Sequence, residues 1–449
     1  MTGSRIIGGV VAALVIAGAA VGGVLVWRPA IGAIDPPAPQ SFDPTLVKHG
    51  RELAALGNCN DCHTARGGKN FAGGLAVPTP FGTIFSTNIT PDPETGIGRW
   101  PEDAFRRAMR SGVDREGRHL YPTFPYDHFT NVTDEDDRAL YAYLMTREPV
   151  VAAARANQLR FPFNQRFVVA GWKLLFLRRE TYHPDPTKSA EWNRGAYLVQ
   201  GLAHCGSCHT PRNALGAERN KVAFSGGEAD DWSAYAINTK SPAPVPWNAA
   251  ALDFYLRNGW HPDHGTARGP MAEVVSNLAA VPAGDVHAIA AYMADVFGAP
   301  STQRSREAVV AQAKSGTGRA ADPQGAAIYA ATCAGCHESG RPPPYGGVNL
   351  ALSSALSAAD PRNLVNIVLA GVRPVEGERS PIMPGFAGTM NDQQIAVLVN
   401  YLRSRFTSQP AWSGLEAVIQ DARRTQTAYL TTSAGPTSAP VDPTQRDKP

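Results

Sequence analysis

Apolar residues recur at helical spacing in three segments of the chain. The first, residues 44–56, has its apolar positions at Leu46, Val47, Leu53 and Leu56. This spacing predicts a helix that begins after Asp43, a typical N-cap residue, and in which Gly50 allows a second helix to approach closely. Shorter segments of the same design, each with one glycine, lie at residues 193–198 and 323–329.

A second set of amphipathic segments closes each part of the chain, at residues 133–146, 283–296 and 391–405. Each begins with polar or acidic residues that are suited to capping a helix. The three segments align on one aromatic position, occupied by Tyr143, Tyr292 and Tyr401. An opening and a closing helix therefore recur three times, which predicts three tandem modules rather than one large domain.

The predicted organisation has seven segments. They are residues 1–40, an apolar stretch with a proline-rich spacer; 41–150, the first module; 151–187, an apolar bridging segment; 188–300, the second module; 301–322, a polar linker; 323–408, the third module; and 409–449, an extension that ends in a largely disordered tail. The apolar part of the bridging segment, residues 159–177, is interpreted as a packing bridge, with a membrane-surface or partner-docking patch as the alternative.

The N-terminal stretch has 22 residues without a charge, residues 6–27, between Arg5 and Arg28. That length matches the hydrocarbon thickness of a bilayer, so the favoured interpretation is a single N-terminal transmembrane anchor. A cleaved signal peptide is the alternative, because small residues around Ala17 would permit cleavage. In both cases the rest of the chain is expected on the periplasmic side of the bacterial inner membrane.

All six cysteines lie in three copies of Cys-X-X-Cys-His, which begin at residues 59, 205 and 333. Two thiols so spaced on a helical turn can add to both vinyl groups of one porphyrin, while the adjacent histidine reaches the iron. Disulfides would leave the histidines unexplained, and structural zinc needs four ligands per ion. We therefore predict three covalently bound haem c groups. Their tethers are Cys59, Cys62, Cys205, Cys208, Cys333 and Cys336, and their proximal ligands are His63, His209 and His337.

A haem that only transfers electrons normally has both axial positions filled, and methionine is the usual partner of histidine in cytochromes c. In module three, Met383 lies in a proline-rich loop and is the predicted distal ligand, with Met390 as the weaker candidate. In module two the predicted ligand is Met271, whereas Met293 lies within the closing segment and is interpreted as a core residue.

Module one departs from this pattern. Its loop at residues 120–126 carries Phe124, 61 residues after His63, whereas Met271 lies 62 residues after His209. Because a phenyl ring cannot ligate iron, the sixth ligand of the first haem stays unknown and this haem is predicted to be high-spin or weakly ligated. The position is either vacant or water-bound, or it is filled by one of three nearby side chains: His119, His128 or Met109.

The composition fits a loop-rich haem protein and excludes other classes. The chain has 43 glycines and 37 prolines, as expected where loops enclose a porphyrin. Its net charge of +3 would be offset by the haem propionates, and no basic run or nucleic-acid motif is present. Nucleotide-binding glycine fingerprints, hydrolase elbows and non-haem metal motifs are also absent from the sequence.

Several motifs resemble the trihaem cytochrome c subunits of membrane-bound alcohol, gluconate and sorbitol dehydrogenases, and the resemblance covers residues 41–408. The motifs lie at residues 86–92, 95–100, 139–144, 205–213 and 383–386. The chain also resembles cytochromes that accompany molybdenum hydroxylases acting on aldehydes or N-heteroaromatic acids. In the first family the loop at 120–126 usually carries methionine where this chain has Phe124.

The resemblance implies an all-α fold of class I cytochrome c domains, each closed by a glycine-bearing helix that crosses an aromatic-bearing one. It also implies electron transfer from a periplasmic dehydrogenase, of the flavin or quinone type or of the molybdenum type, to ubiquinone or a terminal oxidase. The chain is then an electron-transfer subunit rather than a catalyst on its own. The alternative is a haem enzyme or sensor that uses an open first haem to reduce peroxide or bind a gas.

Overall fold

The computed structural model describes residues 27–298, 305–315, 322–373 and 380–432. The chain divides into two compact units. One consists of Met1–Pro184 with Gln200–His204, and the other of Asp185–Val199 with Cys205–Pro449. The predicted membrane segment, residues 6–27, lies outside the described residues apart from Trp27. Within the described ranges, no helix combines the length and apolarity that are needed to cross a bilayer.

Module one lies in the first unit. Its helices are α1 Pro44–Leu56, α2 Cys59–Cys62, α3 Glu102–Ser111, α4 Tyr126–Phe129 and α5 Asp134–Met145, and α6 Arg166–Phe176 follows in the bridging segment. The predicted start of α1 is confirmed, because the Asp43 carboxylate accepts hydrogen bonds from the amides of Thr45 (2.7 Å) and Leu46 (3.1 Å). The closing helix α5 begins at its predicted cap, Thr133, and nine of its twelve residues are buried.

Module one also contains a small antiparallel sheet, which the all-α prediction did not include. Its strands are β1 Ala76–Thr79, β2 Gly82–Phe85 and β3 Gln158–Leu159. The β1–β2 hairpin turns at Gly82, whose φ of 127° is open to glycine but not to residues with a side chain. Gly82 then pairs with Leu159, so the bridging segment is hydrogen-bonded to module one.

Module two, apart from Gln200–His204, lies in the second unit and repeats the helical plan. Its helices are α7 Ala190–Gln200, α8 Gly206–His209, α9 Ala249–Asn258, α10 Pro270–Leu278 and α11 Ala283–Phe297, with a 3-10 turn at Asn220–Val222. Two hairpins complete it: β4 Gly227–Ala229 with β5 Trp232–Ala234, and β6 Trp260–His261 with β7 Gly265–Thr266. The predicted closing helix over 283–296 is confirmed and ends one residue later than expected.

Module three also lies in the second unit. Its helices are α13 Pro323–Thr332, α14 Ala334–His337, α15 Ser354–Ser357, α16 Arg362–Ala370 and α17 Asp392–Phe406, with a 3-10 turn at Leu350–Leu352. The predicted start of α17 is confirmed, since Asn391 forms a reciprocal capping box with Gln394. Its core is one apolar cluster that includes Leu356, Val365, Ile395 and Leu398.

Two segments differ from their predicted character. The polar linker, residues 301–322, contains a helix, α12 Arg306–Ser315, whose Val309 packs with Ala351 and Leu352 of module three. The C-terminal extension contains α18 Leu415–Thr432, whose buried Ile419 joins the module-three core. The last turns of α18 therefore fall in the tail that was expected to be disordered. Isolated apolar residues in otherwise polar segments gave too weak a pattern to predict these helices.

The opening and closing helices of each module cross at the predicted glycine. A Cβ added to Gly50 would lie 1.9 Å from the carbonyl oxygen of Ala139, and one added to Gly195 would lie 1.9 Å from that of Ala288. In module three, a Cβ on Gly325 would lie 2.5 Å from the Cβ of Tyr401. Only glycine allows this close approach, so each crossing is fixed by one residue.

Candidate haem-binding sites

Each Cys-X-X-Cys-His pentapeptide forms one helical turn directly after the opening helix of its module. In every copy the histidine amide donates to the carbonyl of the first cysteine, at distances of 3.0 Å for His63, 3.1 Å for His209 and 3.0 Å for His337. The turn places the two thiols and the imidazole of each motif together. None of the six cysteines, all of which lie in the described residues, forms a disulfide.

The three imidazoles share one hydrogen bond. His63 Nδ1 donates to the carbonyl oxygen of Thr87 (2.6 Å), and His209 Nδ1 donates to that of Tyr235 (2.7 Å). In module three, His337 Nδ1 donates to the carbonyl of Val348 (2.8 Å). Because a carbonyl can only accept, the proton lies on Nδ1 and the lone pair of Nε2 faces away from this bond. Burial lowers the pKa of each imidazole, which keeps it neutral.

The environment of the thiols suits a porphyrin better than a zinc ion. Burial raises the pKa of Cys59 and of Cys205 to about 12, and it also raises the pKa of Cys333. Each motif offers two thiols and one imidazole, one donor fewer than the four that structural zinc requires. Two thiols on one turn with an adjacent imidazole are the donor set of a covalently attached haem. The residues present therefore fit that group.

The loops that carry the predicted distal ligands begin in the same way in modules one and two. Helices α3 and α9 each end at a glycine with positive φ, Gly112 (57°) and Gly259 (73°). The amide of Leu120 then donates to the Gly112 carbonyl (2.7 Å), and the amide of Ala267 donates to the Gly259 carbonyl (2.7 Å). These paired bonds give the two loops a common register.

Counted from that register, Phe124 and Met271 hold the same position, each four residues after the bonded amide. Phe124 packs against the rings of Phe129 (5.3 Å between centroids) and Tyr126 (6.4 Å). Met271 is the second residue of α10 and is half-buried. The structure thus supports, from backbone hydrogen bonds, the alignment that the sequence spacing suggested.

The predicted ligand of module three has a different local frame. Met383 is half-buried and packs against the module core, and its backbone pairs with Val372 through two hydrogen bonds of 2.8 and 3.0 Å. The weaker candidate, Met390, is a buried member of that core. In module two, Met293 is buried on α11, in agreement with its interpretation as a core residue.

The three candidate side chains for the first haem belong to different elements of module one. His119 is buried, and its Nδ1 lies 3.1 Å from Nζ of Lys173 on α6. His128, on α4, donates from Nδ1 to the carbonyl of Gln200 (2.9 Å). Met109 is buried on α3. Sequence reasoning missed Lys173, which gave no signal because it is a lone basic residue in an apolar segment.

Comparisons with known proteins place this geometry in a family. A "Cytochrome c" family profile matches residues 47–148, and the profile "Cytochrome C oxidase, cbb3-type, subunit III" matches residues 320–402. The fructose dehydrogenase cytochrome subunit of Gluconobacter japonicus is 35% identical over 411 residues, which cover 86% of this chain and 84% of that protein. This chain belongs to the cytochrome c subunits of dehydrogenase complexes.

Two further relatives of this cytochrome differ in length. The gluconate 2-dehydrogenase cytochrome c subunit of Pantoea cypripedii is 37% identical and is covered over 85% of its length. A nicotinate dehydrogenase subunit of Pseudomonas putida is 46% identical over 89% of this chain. The chain spans only about a third (34%) of that relative's length. The family indicated by the sequence motifs is confirmed, and its members are haem c proteins that transfer electrons.

In this cytochrome, modules two and three are joined through polar bonds. The side-chain amide of Asn363 accepts from the Ser233 backbone amide (2.9 Å) and donates to the Ser233 carbonyl (2.8 Å). Tyr235, whose carbonyl accepts from His209, packs its side chain against the module-three core. Arg268, three residues before Met271, donates to the carbonyl of Gly371 (2.9 Å). The residue that accepts the His209 hydrogen bond and a residue shortly before Met271 therefore both contact module three.

Proposed function

We propose that this cytochrome carries three haem c groups, one at each pentapeptide. The observation that carries the proposal is the repeated Nδ1 hydrogen bond, which orients His63, His209 and His337 alike. When bound, each haem supplies a one-electron redox centre. Met271 and Met383 would hold the distal side in modules two and three and raise the potential there, and the sixth ligand in module one is left to solvent or to a substitute side chain.

The proposed donor is a dehydrogenase that contacts this cytochrome on the periplasmic side of the inner membrane. Of the relatives described above, the nicotinate dehydrogenase subunit has the highest identity, 46%. This supports a partner of the molybdenum hydroxylase type that oxidises an N-heteroaromatic acid, in preference to a flavin or quinone dehydrogenase. The proposed acceptor is ubiquinone or a terminal oxidase, reached from the membrane surface.

Haem content tests the first part of the proposal. The chain, produced in a strain competent in cytochrome c maturation, should contain three haems per polypeptide by the pyridine haemochrome assay. Replacing both cysteines of one motif by alanine, for example Cys205→Ala with Cys208→Ala, should leave two. The matched variants in modules one and three should each do the same. Haem content that does not change in one of them would exclude haem c from that module.

The donor is tested by co-expression. This cytochrome is produced with the remaining subunits of a nicotinate-type hydroxylase, and separately with a flavin-dependent sugar dehydrogenase. Reduction of its haems, followed by absorption on addition of each substrate, should occur with the first enzyme. Reduction only by the flavin enzyme would reverse the assignment of the donor while leaving the haem sites as proposed.

A second function is favoured by one observation, the phenyl ring of Phe124 at the position of a distal ligand. An open first haem would reduce peroxide or bind a gas, with His119 or His128 as the candidate acid or base. Turnover of peroxide by the reduced protein would support this role. A protein that transfers electrons fully but does not react with peroxide would have electron transfer as its function and would contradict this second role.

A further inference from the structure

We propose that helix α6 and the loop before it form a docking surface for the face of an anionic phospholipid bilayer. The surface, here called the α6 face, consists of Phe161, Phe167, Leu174 and Leu175. These side chains are 79%, 59%, 62% and 72% exposed, respectively. A surface of this kind lies in the interface of a membrane rather than across it. The inference goes beyond the proposed function, because it concerns attachment and not electron transfer.

Helix α6 carries apolar residues both on its buried side and on its exposed side. Phe167 and Leu174 are seven residues apart and Gly171 lies between them, so they share one side of the helix. The opposite side carries Val169, Ala170 and Lys173, which are buried. The buried apolar side is sufficient to attach the helix to module one. The exposed apolar side therefore indicates an interaction with a partner outside the module.

The inner side holds α6 rigidly on module one. Lys173 is 7% exposed, and its Nζ donates to the carbonyls of Ser111 (2.8 Å) and Gly112 at the end of α3. The C-terminal end of a helix carries partial negative charge, which favours an ammonium group there. Trp172 packs edge-on against Tyr126 (6.2 Å between centroids). The exposed side chains are therefore presented by a fixed element.

The loop before α6 is fixed to the same module. The amide of Arg160 donates to the carbonyl of Phe81 (3.0 Å), and Phe163 packs on the ring of Phe81 with 4.4 Å between centroids. Phe161 lies between these two anchored residues and points its ring to solvent. The α6 face is thus a continuous part of module one and not a loose loop.

The charge of the segment that carries the α6 face favours an anionic partner. From residue 149 to residue 179 the chain has no Asp or Glu, and its charged residues are Arg155, Arg160, Arg166, Lys173, Arg178 and Arg179. Of these, Lys173 is buried and the five arginines are exposed. Basic residues beside exposed apolar ones are the pattern that binds anionic lipid headgroups and inserts side chains below them.

The first described residues of the chain lie beside the loop between Gly112 and His119. The predicted membrane segment is followed by Arg28, and a Cβ added to Gly117 would lie 2.1 Å from the Arg28 carbonyl oxygen. Gly117 belongs to the loop between Gly112 and His119, which Lys173 of α6 contacts. The charge of Arg28 also acts on Lys173 and helps to lower its pKa. The start of module one and the buried side of α6, which carries Lys173, therefore meet the same part of the module.

Lipid-phase photolabelling tests the proposal on the full chain with its haems attached. The protein is reconstituted in vesicles of phosphatidylglycerol and phosphatidylcholine that contain a lipid-soluble carbene precursor. Labelled peptides are then identified by mass spectrometry. We expect label on residues 161–177, and severalfold less label there in vesicles of phosphatidylcholine alone.

Variants separate the α6 face from the rest of the molecule. The triple change Phe167→Gln, Leu174→Gln and Leu175→Gln leaves Phe161 in place and should reduce the label on residues 161–177 severalfold. The control Leu215→Gln, an exposed leucine of module two (47% exposed), should leave that label unchanged. The double variant Arg178→Glu with Arg179→Glu should reduce the preference for anionic vesicles severalfold, because each basic residue near the surface contributes attraction. Haem content and thermal unfolding confirm that each variant is folded.

Three results would overturn the proposal. The first is an absence of label on residues 161–177 in anionic vesicles while the N-terminal residues are labelled. The second is equal labelling in the triple variant. The third is label in the free cytochrome that disappears when the partner dehydrogenase is added, which would assign the α6 face to a protein interface.

Discussion

Phe124 occupies in module one the loop position that Met271 occupies in module two. The same backbone hydrogen bond, closed on a helix-ending glycine, sets both positions. The difference between the two modules is therefore confined to the side chain, and the loop itself is retained. We therefore expect the haem iron of the first site to have an exchangeable distal ligand, although the loop around it has the same backbone arrangement as the loop that carries Met271.

Phe124→Met should restore a distal sulfur ligand in module one. We expect a new sulfur-to-iron charge-transfer absorption and the loss of cyanide or carbon monoxide binding at that module. Absorption spectra of the oxidised and reduced protein, with and without the added ligand, measure both. Phe124→Leu is the matched control and should retain external ligand binding. A wild-type spectrum that shows three low-spin haems and does not change on addition of cyanide or carbon monoxide would contradict a weakly ligated first haem.

Met271→Phe should produce the reciprocal change in module two. Removing the sulfur should lower the potential of that haem, because methionine ligation raises it. External ligand binding should appear at a second haem, which a carbon monoxide titration of the reduced protein would count. Met293→Leu, a buried change on α11, serves as the control and should alter neither property.

Gly195→Ala should destabilise module two. The added Cβ would lie 1.9 Å from the carbonyl oxygen of Ala288, so the two helices must separate. Overpacking of this kind costs about 1–3 kcal/mol of unfolding free energy. Gly284→Ala lies on the same closing helix with nothing within 4 Å of the new Cβ, and it should be neutral or slightly stabilising. Thermal unfolding of both variants decides the point, and equal melting temperatures would disprove the crossing.

Lys173 should make the stability of the first unit depend on pH. Burial lowers its pKa to about 7, Arg179, Arg28 and Arg166 act in the same direction, and Asp114 opposes them. In the unfolded chain its pKa returns to about 10.4. Between these values the unfolded chain binds one proton more than the folded one, so this group adds stability as the pH rises from about 7 towards 10.

Lys173→Met removes that contribution. The free energy of unfolding of the wild type should therefore rise, relative to the variant, between pH 7 and pH 10. Urea unfolding followed by circular dichroism at several pH values gives this difference. The change of other groups cancels in the comparison. A difference that stays constant over the range would show that Lys173 keeps its ordinary pKa.

Asn363→Ala should weaken the junction of modules two and three. It removes two hydrogen bonds to the backbone of Ser233 and leaves that backbone without them. The expected cost is about 1–3 kcal/mol for each buried group that loses its partner. Asn238→Ala is the control, because it also loses two hydrogen bonds, to the Ala223 carbonyl and from the Lys240 amide, but both are exposed and lie within module two. Unfolding by denaturant should show the larger effect for Asn363→Ala.

The repeated plan of the modules was predictable because its signals are local. Asp43, Thr133 and Asn391 are N-cap residues, whose side-chain oxygens accept hydrogen bonds from backbone amides two or three residues later. The pentapeptides carry their donor sets within five residues. The glycine at each helix crossing could be inferred in the same way, from one small residue in an otherwise regular pattern.

The remaining features depend on contacts between distant parts of the chain. The apolar bridging segment gave no sign that one side of α6 is held by Lys173 on the carbonyls of α3. Whether such a segment packs or stays exposed is decided by its partner, which the pattern alone does not name. Helix α12 was missed for the same reason, since Val309 is buried by packing with Ala351 and Leu352, which are distant from it in the sequence.

The link from His209 through the Tyr235 carbonyl to the core of module three has a practical consequence. A fragment that stops after the second module would strip the cover from the Tyr235 side chain and free the Arg268 guanidinium from Gly371. The electrochemical behaviour measured on such a fragment would then describe a relaxed site. Dissection of this protein for electrode work should keep the last two modules together.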